Sequence, residues 1–195
     1  MEPNSEFMLI NNNKIFFILL SILPISIVVG SSISLTNILL IILLYLFIFI
    51  KNRHYEFLYK DKTLRLLLII YLYLIINSLI SINYDIGLNR NLGFIRFIFF
   101  FIAVNYFFFI NQKNFRILNI WVIFFVIFVT DVYFERFSGA NIFGWGAYEI
   151  DNIKQPHGTR VMSFFRDEPI AGAYLNGLFL LVTGYLLTFF KGKIN

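Results

Sequence analysis

The chain has 195 residues, of which 59% are hydrophobic and 14% charged, and its mean hydropathy is +0.77. Soluble domains carry about a quarter charged residues, so this balance excludes an ordinary soluble domain and points to a membrane protein. The absence of cysteine excludes disulfides and thiol-based metal or nucleophile chemistry, and the formal charge of +5 is a matter of membrane orientation, not of nucleic-acid affinity.

Taken in chain order, residues 1–14 read as a polar N-terminal tail on the cytoplasmic side. Residues 1–7, "MEPNSEF", differ in character from the apolar sequence after them, and Met8 offers an alternative native start. Residues 15–195 then form one all-α, polytopic transmembrane domain. Apolar runs near 15–30, 33–50, 64–82, 94–110, 117–134 and 169–190 approach the roughly 20 residues that a spanning helix needs. Pro24 and Gly30 favour two short helices in a tight hairpin over one long helix across 15–50.

The cations set the orientation. Lys14, the 51–65 connection, Lys113, Arg116, Lys191 and Lys193 alternate with the other segments and hold 10 of the 16 Lys and Arg residues. The opposite side holds seven of the 11 acids. The positive-inside rule therefore predicts six spans, both termini inside, and an outer loop over 135–168. In a Gram-negative cell that loop faces the periplasm from the inner membrane. The inner basic residues, with His54 among them, read as topology anchors that touch anionic lipid heads.

The outer face offers the chemistry. Its loop is rich in Gly and aromatics, and "NIFGWGAY" reads either as an aromatic anchor at headgroup level or as part of a folded site. Arg96, near the outer end of the fourth run, either snorkels to the interface, pairs with Asp131, or meets an anionic substrate group. Glu135 and Arg136 lie just beyond Asp131, at the membrane edge. In "GTRVMSFFRDEPIAGAYL" (158–175) the Asp167-Glu168-Pro169 sequence is a helix start, with acids in the first turn and Pro at the first position. Arg160 and Arg166 oppose that dipole and are not explained by capping. Arg166, Ile170, Ala173 and Gly177 would share a face of the sixth span, either for close helix packing or as a smooth groove for a lipid tail. Guanidinium groups suit phosphate and diphosphate, and Asp167 or Glu168 could act as acid or base beside them. Metal-ligand spacing, a Ser-His-Asp set and a phosphate loop are all absent, so no cofactor is implied.

Three segments, "GFIRFIFFFIA" (93–103), "TDVYFERFSGANIFGW" (130–145) and residues 158–175, resemble those of bacterial O-antigen polymerases and O-antigen ligases. The last follows an Arg–x–x–small–x–Phe–x–acid–Glu–x–x–x–Gly–x–x–Leu pattern at Arg160, Ser163, Phe165, Asp167, Glu168, Gly172 and Leu175. The resemblance covers about residues 93–180 and is most specific in that last pattern. It implies a glycosyltransferase of lipopolysaccharide or other surface-polysaccharide biosynthesis, acting at the outer membrane face without nucleotide sugar or metal. Its donor would be an oligosaccharide on undecaprenyl diphosphate, with Arg96, Arg160, Arg166 and Arg136 as substrate-binding residues and Asp167 and Glu168 as catalytic ones. Membrane lipid and other polysaccharide-assembly membrane proteins are the implied partners. Members of that family have further spans and a second large outer loop, so the chain corresponds to their N-terminal half. A transporter or flippase component, and an inactive remnant, are the competing readings.

Overall fold

A computed structural model of the protein describes residues 3–52, 61–82, 84–110, 116–145, 147–150, 153–156, 161–165 and 170–194. Among these, seven α-helices form: α1 (Pro3–Val29), α2 (Ser31–Asn52), α3 (Lys62–Ile80), α4 (Tyr84–Leu92), α5 (Ile95–Ile110), α6 (Arg116–Ser138) and α7 (Ala171–Ile194). Two short antiparallel strands, β1 (Ala147–Ile150) and β2 (Ile153–Pro156), pair with Glu149 opposite Lys154. A 3-10 turn lies beyond them at Ser163–Phe165.

Four stretches are long and apolar enough to cross a membrane: Ser31–Ile50, Lys62–Ile80, Tyr84–Phe108 and Arg116–Ser138. Two shorter apolar stretches, Asn13–Val29 and Ala171–Leu187, lie within α1 and α7. Large apolar side chains point outward along these helices; Ile69, Leu72, Tyr73 and Ile76 of α3 are all exposed.

The expected elements differ from the observed ones in four places. Helix α1 begins at Pro3 rather than after a tail, and it runs through Pro24 without a break. The hairpin turn is Gly30 alone, whose φ of +153° favours glycine. The fourth helical stretch starts at Tyr84, ten residues earlier than hydropathy suggests, because polar α4 folds back along α3. The all-α expectation is amended by the β1–β2 hairpin inside the 135–168 loop.

The chain divides into two compact units. The first comprises Met1–Leu20 and Leu35–Asn114. In it, Asn37 on α2 donates to the Leu19 carbonyl at 3.1 Å. Phe16 stacks on Phe107 at 5.4 Å, and Tyr45 meets Tyr106 edge-on at 5.3 Å. Asp61 caps α3 by accepting from the Thr63 N–H at 2.8 Å and from the Leu64 N–H at 3.3 Å. Asn91 of α4 donates to the Leu74 carbonyl at 3.1 Å and to the Ser78 hydroxyl, which sets α4 alongside the last turns of α3.

The second unit comprises Ser21–Ser34 and Phe115–Asn195. Its core is Phe128 of α6, Phe165 and Ala171, with Val28, Phe124, Val132, Phe164, Tyr174 and Leu175 packed around them. Phe128 contacts Phe165 at 5.8 Å and Tyr174 at 5.1 Å between ring centroids. Tyr174 also donates to the Pro24 carbonyl at 2.7 Å, joining α7 to the first helix.

Candidate functional site

Asp131 and Glu135 stand four residues apart on α6, so helical periodicity puts them on one face. That face is covered: Asp131 is 0% exposed and Glu135 5%. A buried carboxylate is tolerated only where donors replace its water, and each oxygen of these two has one. Asp131 Oδ1 accepts from the Ile142 N–H at 3.1 Å, and its Oδ2 accepts from the Ser163 hydroxyl at 2.6 Å. Glu135 Oε1 accepts from the Met162 N–H at 2.9 Å, and its Oε2 accepts from the Ser163 N–H. The two acids therefore hold residues 142 and 162–163 of the loop after α6 against the last turns of that helix.

Asn141 completes the clamp. Its Nδ2 donates to the Ser163 carbonyl at 2.9 Å, while its Oδ1 accepts from the Phe143 and Trp145 N–H groups at 3.0 and 2.7 Å. The Asn141 N–H donates to the Trp145 carbonyl at 2.9 Å, closing the 141–145 loop on itself. Gly144, with φ of +78°, supplies the left-handed residue that this loop requires. Phe143 then lies near Trp145 at 5.2 Å and Phe164 at 5.8 Å.

Ser163 is the centre of this arrangement. It is 0% exposed and its φ is +51°, a left-handed conformation unusual for a residue with a side chain. Its N–H, hydroxyl and carbonyl bond to Glu135, Asp131 and Asn141 respectively. Strained backbone of this kind persists where the surroundings over-determine it, and these three partners do so. In the sequence Ser163 lies three residues from Arg160 on one side and from Arg166 on the other. Arg160, Arg166, Asp167 and Glu168 themselves lie outside the described residues, as does the expected Asp167-Glu168-Pro169 cap.

Of the other predicted site residues, Arg136 belongs to the second unit and Arg96 to the first. Arg136 is exposed in the last turn of α6, where a cation complements the helix dipole. The Asp131 carboxylate, expected from sequence as a partner for Arg96, is engaged by Ile142 and Ser163 within its own unit. Arg96 is the second residue of α5, at the start of that apolar helix, where the sequence places it. Its guanidinium lies 5.0 Å from the Phe97 ring centroid. It lines an open groove of ≈ 520 Å³ with Arg90, Asn91, Gly93, Phe94 and Phe97. Gly172, Gly177 and Gly184 of α7 have nothing within 4 Å of where a Cβ would stand. The face of α7 that packs is instead the one bearing Ala171, Leu178 and Val182.

Sequence reasoning places Asp131 and Glu135 at the membrane edge but misses what they do. Their four-residue spacing on an otherwise apolar helix is the signal that could have found them. Ser163 and Asn141 give none, since a serine or asparagine in a loop has many uses. The chain matches no family model, no curated protein and no solved structure.

Proposed function

We propose that the protein is a multi-pass membrane glycosyltransferase, or the N-terminal part of one, at the outer face of a bacterial inner membrane. Six spans with both termini inside are the topology that the cation distribution favours. The substrate is a glycan carried on undecaprenyl diphosphate, and the product is an extended or transferred glycan of a surface polysaccharide. In the transfer, an acceptor hydroxyl oxygen attacks the anomeric carbon of the donor sugar. The bond from that carbon to the diphosphate oxygen breaks, the lipid diphosphate leaves with the electron pair, and the hydroxyl proton passes to Asp167 or Glu168. Arg160 and Arg166, assisted by Arg136, neutralise the charge that develops on the leaving group.

The observation that supports this reading best is the clamp on Met162 and Ser163. Two buried acids and one asparagine hold the backbone midway between Arg160 and Arg166, at the end of a helix long enough to cross a membrane. Such a clamp is costly unless the flanking segments need a fixed position. The resemblance of residues 158–175 to the polymerases and ligases supplies the chemistry.

The test is Arg160→Ala and Arg166→Ala, made in the chain at its natural length in its own cell. Each is expected to remove long-chain glycan from a lipopolysaccharide gel while protein abundance stays constant. An unchanged ladder sinks the proposal. A flippase component would instead leave lipid-linked repeat units stranded on the inner leaflet when deleted, and the transferase reading expects them to accumulate outside.

A further inference from the structure

The loop after α6 pairs its backbone inside the protein while its aromatic tip stays open. All five N–H groups from residue 141 to residue 145 have an internal acceptor. The Asn141 N–H donates to the Trp145 carbonyl and the Gly144 N–H to the Asn141 carbonyl, both at 2.9 Å. The Phe143 and Trp145 N–H groups donate to Asn141 Oδ1, and the Ile142 N–H donates to Asp131 Oδ1. Yet residues 142–144 are exposed, and in bulk water the solvent would satisfy such donors unaided. Irregular backbone needs complete internal pairing where water is scarce, as it is at membrane depth.

The loop also returns along the helix instead of leaving it. Gly139 closes α6 with a φ of +85° and an N–H bond to the Glu135 carbonyl at 2.8 Å. Ile142 then reaches back to Asp131, seven residues before the helix end at Ser138. Seven residues of helix are about 10 Å along its axis. Helix α6 is long and apolar enough to cross a membrane, and Tyr133, Phe134 and Phe137 are exposed on its last turns, Phe137 by 86%. On the returning loop Phe143 is 65% exposed, with Trp145 beside it at 5.2 Å. Aromatic side chains, Trp and Tyr above all, gather where lipid meets water. A shelf for a sugar ring would set polar side chains beside the aromatic face, whereas the neighbours of Phe143 are Ile142, Trp145 and Phe164.

We infer that the 141–145 loop is a seat on the lipid surface. Phe143 enters the boundary between head groups and acyl chains at the end of α6, and Asp131 and Asn141 let the loop backbone lie there by taking its N–H groups. That depth is one that water still reaches, not the hydrocarbon interior. The seat rests on the membrane reading but not on glycosyl transfer.

The test reads tryptophan emission from the full chain in phosphatidylcholine vesicles. The chain has two tryptophans, Trp121 and Trp145, so Trp121→Phe with Trp145→Phe gives a dark background. In it, Phe143→Trp reports on the loop. Ile127→Trp, at a half-exposed position in the middle of α6, reports on the interior. Lipids brominated near the head-group end of their acyl chains should quench the loop reporter more than lipids brominated near the tail end. The order should reverse for Ile127→Trp, and aqueous iodide should quench the loop reporter less than free tryptophan. Iodide quenching equal to that of free tryptophan, with none from either lipid, overturns the seat and gives the loop to a soluble partner. Stronger quenching from the tail end also overturns it, because the loop would then lie in the interior. Trp121→Phe alone keeps the native loop with Trp145 as reporter, and the same head-end preference is expected there even if Phe143→Trp misfolds. If neither lipid quenches Ile127→Trp, the membrane reading fails and the seat with it. If the loop reporter alone fails, the transferase reading stands on the glycan ladder of Arg160→Ala.

Discussion

Glu135 uses both carboxylate oxygens to accept backbone N–H groups, from Met162 and Ser163. Glutamine has nearly the same shape but offers one oxygen and one NH2 group, and the NH2 would face an N–H donor. Glu135→Gln should therefore destabilise the second unit by about 1–3 kcal/mol, in the range for a buried donor left without its acceptor, and isosterism should not rescue it. Ser163→Ala leaves Asp131 Oδ2 without its hydroxyl donor and keeps the left-handed backbone, so a loss of similar size is expected. Ser163→Gly relieves the backbone while removing the same hydroxyl, and it should be the milder of the two. Thermal melting of the purified protein ranks the three. A Glu135→Gln variant that melts with the wild type would show that the clamp contributes little.

Helix boundaries show which physical signals reach the sequence and which do not. The apolar runs around α2, α3 and α6 are legible because roughly 20 consecutive apolar residues have few other uses. The Gly30 turn is legible because glycine is the residue for φ near +153°. Pro24 misleads, because it resembles a helix breaker; α1 passes through that position, and the Pro24 carbonyl accepts the Tyr174 hydroxyl. Helix α4 is hidden because "YDIGLNRNL" has no apolar run; its placement comes from Asn91 on α3, a tertiary contact. The Ser163 clamp is hidden for the same reason, since its partners are distant in the chain. The β1–β2 hairpin is hidden because neither four-residue strand carries a run of β-formers. Gly30→Ala tests the legible part. The added Cβ has open space but the backbone is strained, so a loss of about 1–3 kcal/mol is expected and should appear in the same melting assay. A neutral result would mean that the α1–α2 turn relaxes freely.

At the scale of the whole chain, the absence of cysteine makes orientation directly measurable. Ile142 is exposed on the clamped loop after α6, and Lys62 is exposed at the start of α3. With both termini inside, Ile142→Cys should react with a membrane-impermeant maleimide in intact spheroplasts. Lys62→Cys should react only after the membrane is permeabilised. The opposite pattern would reverse the topology and move the 135–168 loop, with Arg160 and Arg166, to the inner face.

The bond from Tyr174 to the Pro24 carbonyl spans 150 positions of sequence, and this sets an order on biogenesis. A ribosome releases the first helix long before the last is made, at roughly 5–20 residues per second. During that interval the second unit lacks Phe165, Ala171 and Tyr174, which fill its core around Phe128. The Gly30 hairpin must therefore wait, half-assembled, until α7 has been made and closes the unit. Nascent chains released before residue 171 are expected to expose that unfilled core to the membrane's quality-control proteases, whereas chains extended past 182 should survive a pulse-chase.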